Sequence, residues 1–137
     1  MKQEIKKSTI YLILALVSGV FFREFTKFNQ FTQNTALGKT HLHLFVLGTM
    51  LYLILALFSL HTNLKDLKSY QTFNKLYNVS LPFMVIMFYV RGIIQVLNIS
   101  LSRSMNSAIS GIAGISHILI AISFYFLFKA LINVEKS

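Results

Sequence analysis

The stretch THLHLFVLGTMLYLILALFSLHTNL, residues Thr40 to Leu64, decides the fold of this protein. It contains no Asp, Glu, Lys or Arg over 25 consecutive residues, yet it holds three of the four histidines of the chain. An apolar run of this length is sufficient to cross a bilayer. Ionisable side chains inside a spanning segment are costly, so these histidines mark a candidate functional region.

The composition of the whole chain is that of a membrane protein. Of the 137 residues, 55% are hydrophobic and only 12% are charged, whereas charged residues make up about 25% of soluble domains. The formal net charge is +9, but the basic residues lie at the ends of apolar runs, where they set topology and meet anionic headgroups. Nucleic acid is therefore not an expected partner. Because the chain has no cysteine, disulfides and thiolate metal sites are excluded.

Three further apolar runs occur along the chain. The first follows a short basic N-terminus, and we interpret it as a retained span because no small-residue cleavage site follows it. The runs do not alternate polar and apolar residues, as the strands of a membrane barrel do. We therefore predict an all-α fold, an integral membrane four-helix antiparallel bundle that forms a single domain over residues 1–137. The predicted spans are residues 8–25, 40–64, 76–97 and 104–128, with Pro82 in the first two turns of the third span.

The distribution of lysine and arginine predicts the orientation of the bundle. Eight of the 13 basic residues lie on the side that holds both termini and the middle linker, and five lie on the other side. By the positive-inside rule, both termini are predicted to face the cytoplasm. With this topology the polar side chains near the helix ends fall in the outer half of the bilayer, and His61 is the exception at the cytoplasmic end.

Several of these polar side chains are predicted to meet in the outer half. Arg91 and Gln95 are four residues apart and share one face of the third helix. His41 and His43 are two residues apart, so their side chains point in different directions and only one of them is expected to face the bundle. A weak internal repeat aligns His43 with His117 and places these two at equal depth on facing helices.

One hypothesis for this cluster is a non-covalent, b-type haem. His43 and His117 would be the axial ligands of the iron, with His41 as a substitute ligand. Arg23 and Arg91 would pair with the propionates, because a guanidinium group matches the geometry of a carboxylate. Such a protein would act in redox chemistry or in gas sensing. The remaining members of the predicted polar and small-residue cluster are Glu24, Gln95, Gly48, Gly111 and Gly114.

Simpler roles for the same residues stay open. The histidines would then hydrogen-bond neighbouring backbone, Arg23 or Arg91 would pair with Glu24, and the glycines would mediate helix packing. The protein would in that case be a non-catalytic accessory or assembly subunit of a membrane complex. A third hypothesis is a small transporter whose pathway passes Arg91, Gln95 and Glu24. No catalytic motif is present, so no catalytic residues are predicted.

Four segments of the sequence together resemble a known family. They are residues 20–28 (VFFREFTKF), 40–48 (THLHLFVLG), 90–92 (VRG) and 110–117 (SGIAGISH). Over nearly the whole chain they are similar to an uncharacterised bacterial family of small four-helix membrane proteins, domain of unknown function family 2871. The resemblance implies a multi-pass protein of the bacterial cytoplasmic membrane and implies no activity. The histidine-bearing helices also resemble, by analogy alone, the haem-ligating helices of respiratory membrane cytochromes.

The expected partners follow from the same observations. The lipid bilayer surrounds the apolar helices, and a membrane protein partner or a second copy of the chain would complete an accessory subunit or a transporter. Because four helices enclose little space, a transporter of this size is expected to oligomerise.

Overall fold

The computed structural model describes residues 1–135 and is built from four long helices. Helix α1 spans Lys2–Phe28, α2 spans Leu37–His61, α3 spans Lys68–Val96 and α4 spans Arg103–Ile132. Each of them is long and apolar enough to cross a membrane. Short connections make successive helices antiparallel, and the predicted four-helix membrane bundle is confirmed. We call the end that holds both termini and the α2–α3 connection the terminal end, and the opposite end the loop end.

The helices extend beyond the apolar runs from which the spans were predicted. Helix α3 begins at Lys68, so residues 68–75 are helical and do not form a polar linker. Pro82 therefore lies near the middle of α3 and not in its first two turns, as the sequence pattern predicted. The physical reason is that polar turns of a spanning helix project into the headgroup region, which adds about 10–15 Å to the hydrocarbon thickness.

Packing is most extensive between α3 and α4 and between α1 and α2, while the first turns of α2 also contact α3. Helix α4 packs mainly against α3, where the hydroxyls of Ser80 and Ser123 lie 3.3 Å apart in the buried interface. The core of the terminal half is aromatic. Tyr77 is fully buried, and its ring centroid lies 6.1 Å from that of Tyr52 and 4.9 Å from that of Phe73. Large apolar side chains cover the outside of all four helices, as a lipid-facing surface requires.

Helix α2 contains a π-helical segment, Leu44–Met50, between two α-helical parts. In a π-helical turn the backbone bonds span five residues instead of four, and such turns are uncommon. Side chains of the neighbouring helices donate to two carbonyls of this segment. Tyr77 of α3 donates to the carbonyl of Leu47 (2.9 Å), and Ser8 of α1 donates to that of Thr49 (2.9 Å). The segment thus connects α2 to both neighbours.

Two glycines allow close contacts between helices. A Cβ at Gly48 would lie 2.5 Å from the Cβ of Tyr11, closer than non-bonded carbon atoms come. A Cβ at Gly92 would lie 2.7 Å from the backbone nitrogen of Leu37. Gly48, a member of the predicted small-residue cluster, therefore lies in the contact between α2 and α1 and is not free to contact a ligand.

A buried carboxylate fixes the terminal end. Glu4 is 5% exposed, its Oε2 lies 2.7 Å from Nζ of Lys65, and the hydroxyl of Tyr70 donates to its Oε1 (3.3 Å). Partial burial lowers the pKa of Lys65, but the hydrogen bond and the charge of Glu4 raise it, and the pKa lies above the ordinary lysine value. The pair holds the start of α1 against the α2–α3 connection.

Replacement of Gly48 by alanine is expected to destabilise the bundle. The new methyl group would force α1 away from α2, and overpacking of this kind costs about 1–3 kcal/mol. The matched control is Gly111→Ala, because a Cβ at Gly111 meets no neighbouring atom within 4 Å and alanine favours the helix. In thermal unfolding in detergent, G48A should unfold below the native protein and G111A at the same temperature or above it. Equal unfolding temperatures for the two variants would contradict the close packing at Gly48.

Removal of the Glu4 charge is expected to weaken the terminal end. Glu4→Gln loses the ion pair with Lys65, and hydrogen bonds between charged groups contribute about 1.5–3 kcal/mol. Because Lys65 is partly exposed, we expect a loss near the lower limit. Glu24→Gln removes the same charge from an exposed carboxylate and should change the free energy of unfolding by less than about 0.5 kcal/mol. Chemical denaturation in detergent measures both losses, and the idea fails if E24Q is as unstable as E4Q.

Candidate functional site

Helices α2 and α4 each bring one histidine to the same side chain of α3. The imidazole of His43 meets the ring of Phe88 edge-on, with centroids 4.7 Å apart, and the imidazole of His117 does so with centroids 5.9 Å apart. The two histidines therefore lie at the same level of the bundle. His117 is near the middle of α4. We call His43, Phe88 and His117 the histidine site.

Both imidazoles are held in the same way by their own helices. Nδ1 of His43 lies 2.8 Å from the carbonyl oxygen of Lys39, and Nδ1 of His117 lies 2.9 Å from that of Ala113. In both cases the carbonyl belongs to the residue four positions earlier. An imidazole that donates from Nδ1 to a carbonyl carries its lone pair on Nε2, which is the common state of metal-binding histidines. Nε2 is then the nitrogen available to a ligand.

The other histidines lie elsewhere. His41 stacks on Phe22 of α1, with centroids 6.4 Å apart and planes 16° apart, and its Cβ is close to Gly19. It thus faces α1, whereas His43 faces α3, as their spacing of two residues requires. His61 ends α2 at the terminal end and is exposed. Of His41 and His43, it is His43 that contacts the same side chain as His117, namely Phe88.

The polar face predicted on α3 serves two different neighbours. The guanidinium group of Arg91 donates to Oδ1 of Asn106 (2.6 Å) and to the hydroxyl of Ser110, both on α4. Gln95, one turn further, accepts at Oε1 from the backbone N–H of Ala36 (2.8 Å) and so holds the α1–α2 connection. Arg91 and Gln95 therefore lie on one face of α3, but Arg91 contacts α4 and Gln95 contacts the α1–α2 connection.

The remaining predicted cluster members lie away from the histidine site. The side chain of Arg23 is 80% exposed, and its Nε lies 3.7 Å from a carboxylate oxygen of Glu24, which is also exposed. Glu24 therefore pairs with its neighbour in sequence and not with Arg91. Gly48 is buried in the contact with α1 described above. The glycines of α4 that face open space are Gly111 and Gly114.

An open cleft of about 740 Å³ lies at the loop end, next to Arg91. Its walls are the α1–α2 connection, the end of α3 and the start of α4. The sequence pattern predicted polar residues here but no cleft, because two segments that are distant in sequence, residues 31–34 and 91–106, form the walls. We call it the loop-end cleft. Its polar lining residues are Gln33, Asn34, Arg91, Gln95, Asn98, Ser100, Arg103 and Asn106.

The donor set of the histidine site limits what it can bind. Within residues 1–135, no three His, Asp or Glu side chains come together in a way that would hold a metal ion. A structural zinc ion takes four protein ligands, so a bare ion does not suit this site. Two imidazole nitrogens from different helices are, in contrast, a complete axial set for a haem iron.

One comparison with known proteins identifies a family for this chain. The family model described as "Protein of unknown function (DUF2871)" matches residues 1–134. Comparison with curated proteins and with solved structures gave no match. Because the family model covers nearly the whole chain, this protein belongs to the DUF2871 family of unknown function.

Proposed function

We propose that this protein binds a b-type haem between α2 and α4, with His43 and His117 as axial ligands. The observation that carries the proposal is that the two imidazoles are held by the same kind of hydrogen bond. Each is fixed through Nδ1 to a carbonyl of its own helix, and both contact the same phenyl ring of Phe88. Helices α2 and α4 thus each present the Nε2 atom of a histidine at the same level of the bundle. Helix packing alone does not require this arrangement.

The surroundings of the histidine site support this assignment. Gly114 lies three residues before His117, on the same face of α4, and a Cβ there would meet no neighbouring atom. A flat ring can therefore lie against this face of α4 without a clash at Gly114. Arg91 follows Phe88 by three residues toward the loop end and is the better placed of the two predicted arginines to meet a propionate. A bound haem would supply one-electron redox chemistry, and gas sensing would require one of the two histidines to leave the iron.

Phe88 is the side chain that has to move when a haem binds. Its ring contacts both imidazoles, and metal–imidazole bonds of about 2.0 Å leave no room for a phenyl ring between two axial nitrogens. The side chain is partly buried and packs against the hydrophobic core. The proposal therefore requires Phe88 to rotate out of its position between the imidazoles.

The proposal includes an orientation. We place the protein in a bacterial cytoplasmic membrane with both termini in the cytoplasm, because eight of the 13 basic residues lie at the terminal end. The histidine site then lies between the membrane midplane and the outer surface.

The absorption spectrum of the purified protein tests the haem proposal. Protein in detergent, supplied with hemin, should show a Soret band, and His43→Ala or His117→Ala should lower the haem affinity at least about tenfold, because each removes an axial ligand. His61→Ala and His41→Ala are matched controls that should keep the band. Phe88→Ala should bind haem at least as well as the native protein, because it vacates the space between the imidazoles.

Two outcomes would overturn the proposal. The first is a native protein that stays colourless after hemin is added. The second is a band that His61→Ala weakens as much as His117→Ala, which would show non-specific adsorption of hemin to the detergent-solubilised protein.

A further inference from the structure

We propose that the loop-end cleft binds the phosphate group of an anionic phospholipid. Its volume of about 740 Å³ lies within the range of about 300–1,000 Å³ found for ligand pockets. It is an open cleft at the loop end of the bundle, and Arg91 and Arg103 line it. The inference uses neither histidine and does not rest on the haem proposal, although both proposals draw on Arg91.

The charges of the cleft call for an anion from outside the chain. Residues 67–134 contain no Asp or Glu, and Glu24, at the same end of the bundle, pairs with Arg23. In the described part of the chain, the hydrogen-bond acceptors of Arg91 are the neutral oxygens of Asn106 and Ser110. Guanidinium groups bind phosphate oxygens through paired, charge-assisted hydrogen bonds. A phosphate group is therefore the anion that these side chains fit.

The walls of the cleft are fixed by hydrogen bonds between distant segments. The backbone N–H of Ala36 donates to Oε1 of Gln95 (2.8 Å), and the hydroxyl of Thr35 donates to the carbonyl of Gly92 (3.3 Å). These bonds attach the α1–α2 connection to α3. On the other wall, Asn98 adopts a positive φ of 51° and turns the chain away from α3 toward α4. A ligand therefore meets a site that is already formed, which lowers the entropic cost of binding.

Depth and lining favour a lipid over a free phosphate ion. Arg91 lies five residues before the end of α3, about 7.5 Å along the helix axis. From this depth a long basic side chain reaches the headgroup level while its stem stays among apolar groups. Apolar side chains line the cleft beside the arginines and would contact the glycerol and the first acyl carbons. These side chains are Phe31, Ile94, Ile99 and Leu101.

Titration of the purified full-length protein in a neutral detergent tests this site. The probes are short-chain phosphatidylglycerol, short-chain phosphatidylcholine and inorganic phosphate, and the readout is the shift of the unfolding temperature with probe concentration. Phosphatidylglycerol should bind more tightly than the other two. Arg103→Gln should weaken its binding about tenfold or more, because a hydrogen bond to a charged group contributes about 1.5–3 kcal/mol. Arg91→Gln should do the same.

Matched controls separate this site from general charge attraction. Arg23→Gln removes the same charge at the same end of the bundle and should keep the native affinity. Arg103→Gln leaves the contacts between Arg91 and α4 in place, so its loss of binding is not a loss of folding. The proposal is overturned if R23Q weakens binding as much as R103Q, or if inorganic phosphate binds as tightly as the lipid. R103Q should also keep the Soret band, so the two proposals can fail separately.

Discussion

The bundle depends on how one helix satisfies its backbone carbonyls inside hydrocarbon. In a bilayer each backbone polar group has to find its partner within the protein. The π-helical segment of α2 directs the carbonyls of Leu47 and Thr49 to side-chain donors, which are Tyr77 of α3 and Ser8 of α1. Gly48 lies between these two carbonyls and gives α1 the space to come close. A single segment thus fixes the positions of three helices at one level.

The same segment determines which histidine is available. His43 directly precedes it, and a π-helical turn holds more residues than an α-helical one, so the side chains before and after the segment are rotated relative to each other. In the resulting orientation His43 meets Phe88, and His41 turns toward α1 and stacks on Phe22. The packing that holds α1 against α2 therefore also fixes the face that α2 presents to α3.

The number, order and direction of the helices could be predicted because four apolar runs alternate with short polar segments. The start of α3 could not be predicted, because polar helical turns at the membrane surface lie outside the apolar run that a hydropathy pattern detects. Spacing showed that His41 and His43 diverge, but the choice between them depended on the π-helical segment, which has no clear sequence signal. Glu4 was missed because its burial depends on Lys65 and Tyr70, more than sixty residues away. Contacts between distant segments also build the loop-end cleft.

Helix α4 differs from the other helices in being supported mainly from one side. Along the helix the polar connections run to α3, through Ser80 and Ser123 and through the contacts of Arg91 with Asn106 and Ser110. Just after the helix, Glu135 exchanges two hydrogen bonds with Asn63 of the α2–α3 connection. A helix held along one seam and at one end can tilt as a rigid body about that end, and such a tilt leaves the unit of α1, α2 and α3 intact. Because His117 is carried by α4, the tilt would change the separation of the two imidazoles. A change in the angle between α3 and α4 would therefore couple ligand binding at the histidines to the membrane around α4.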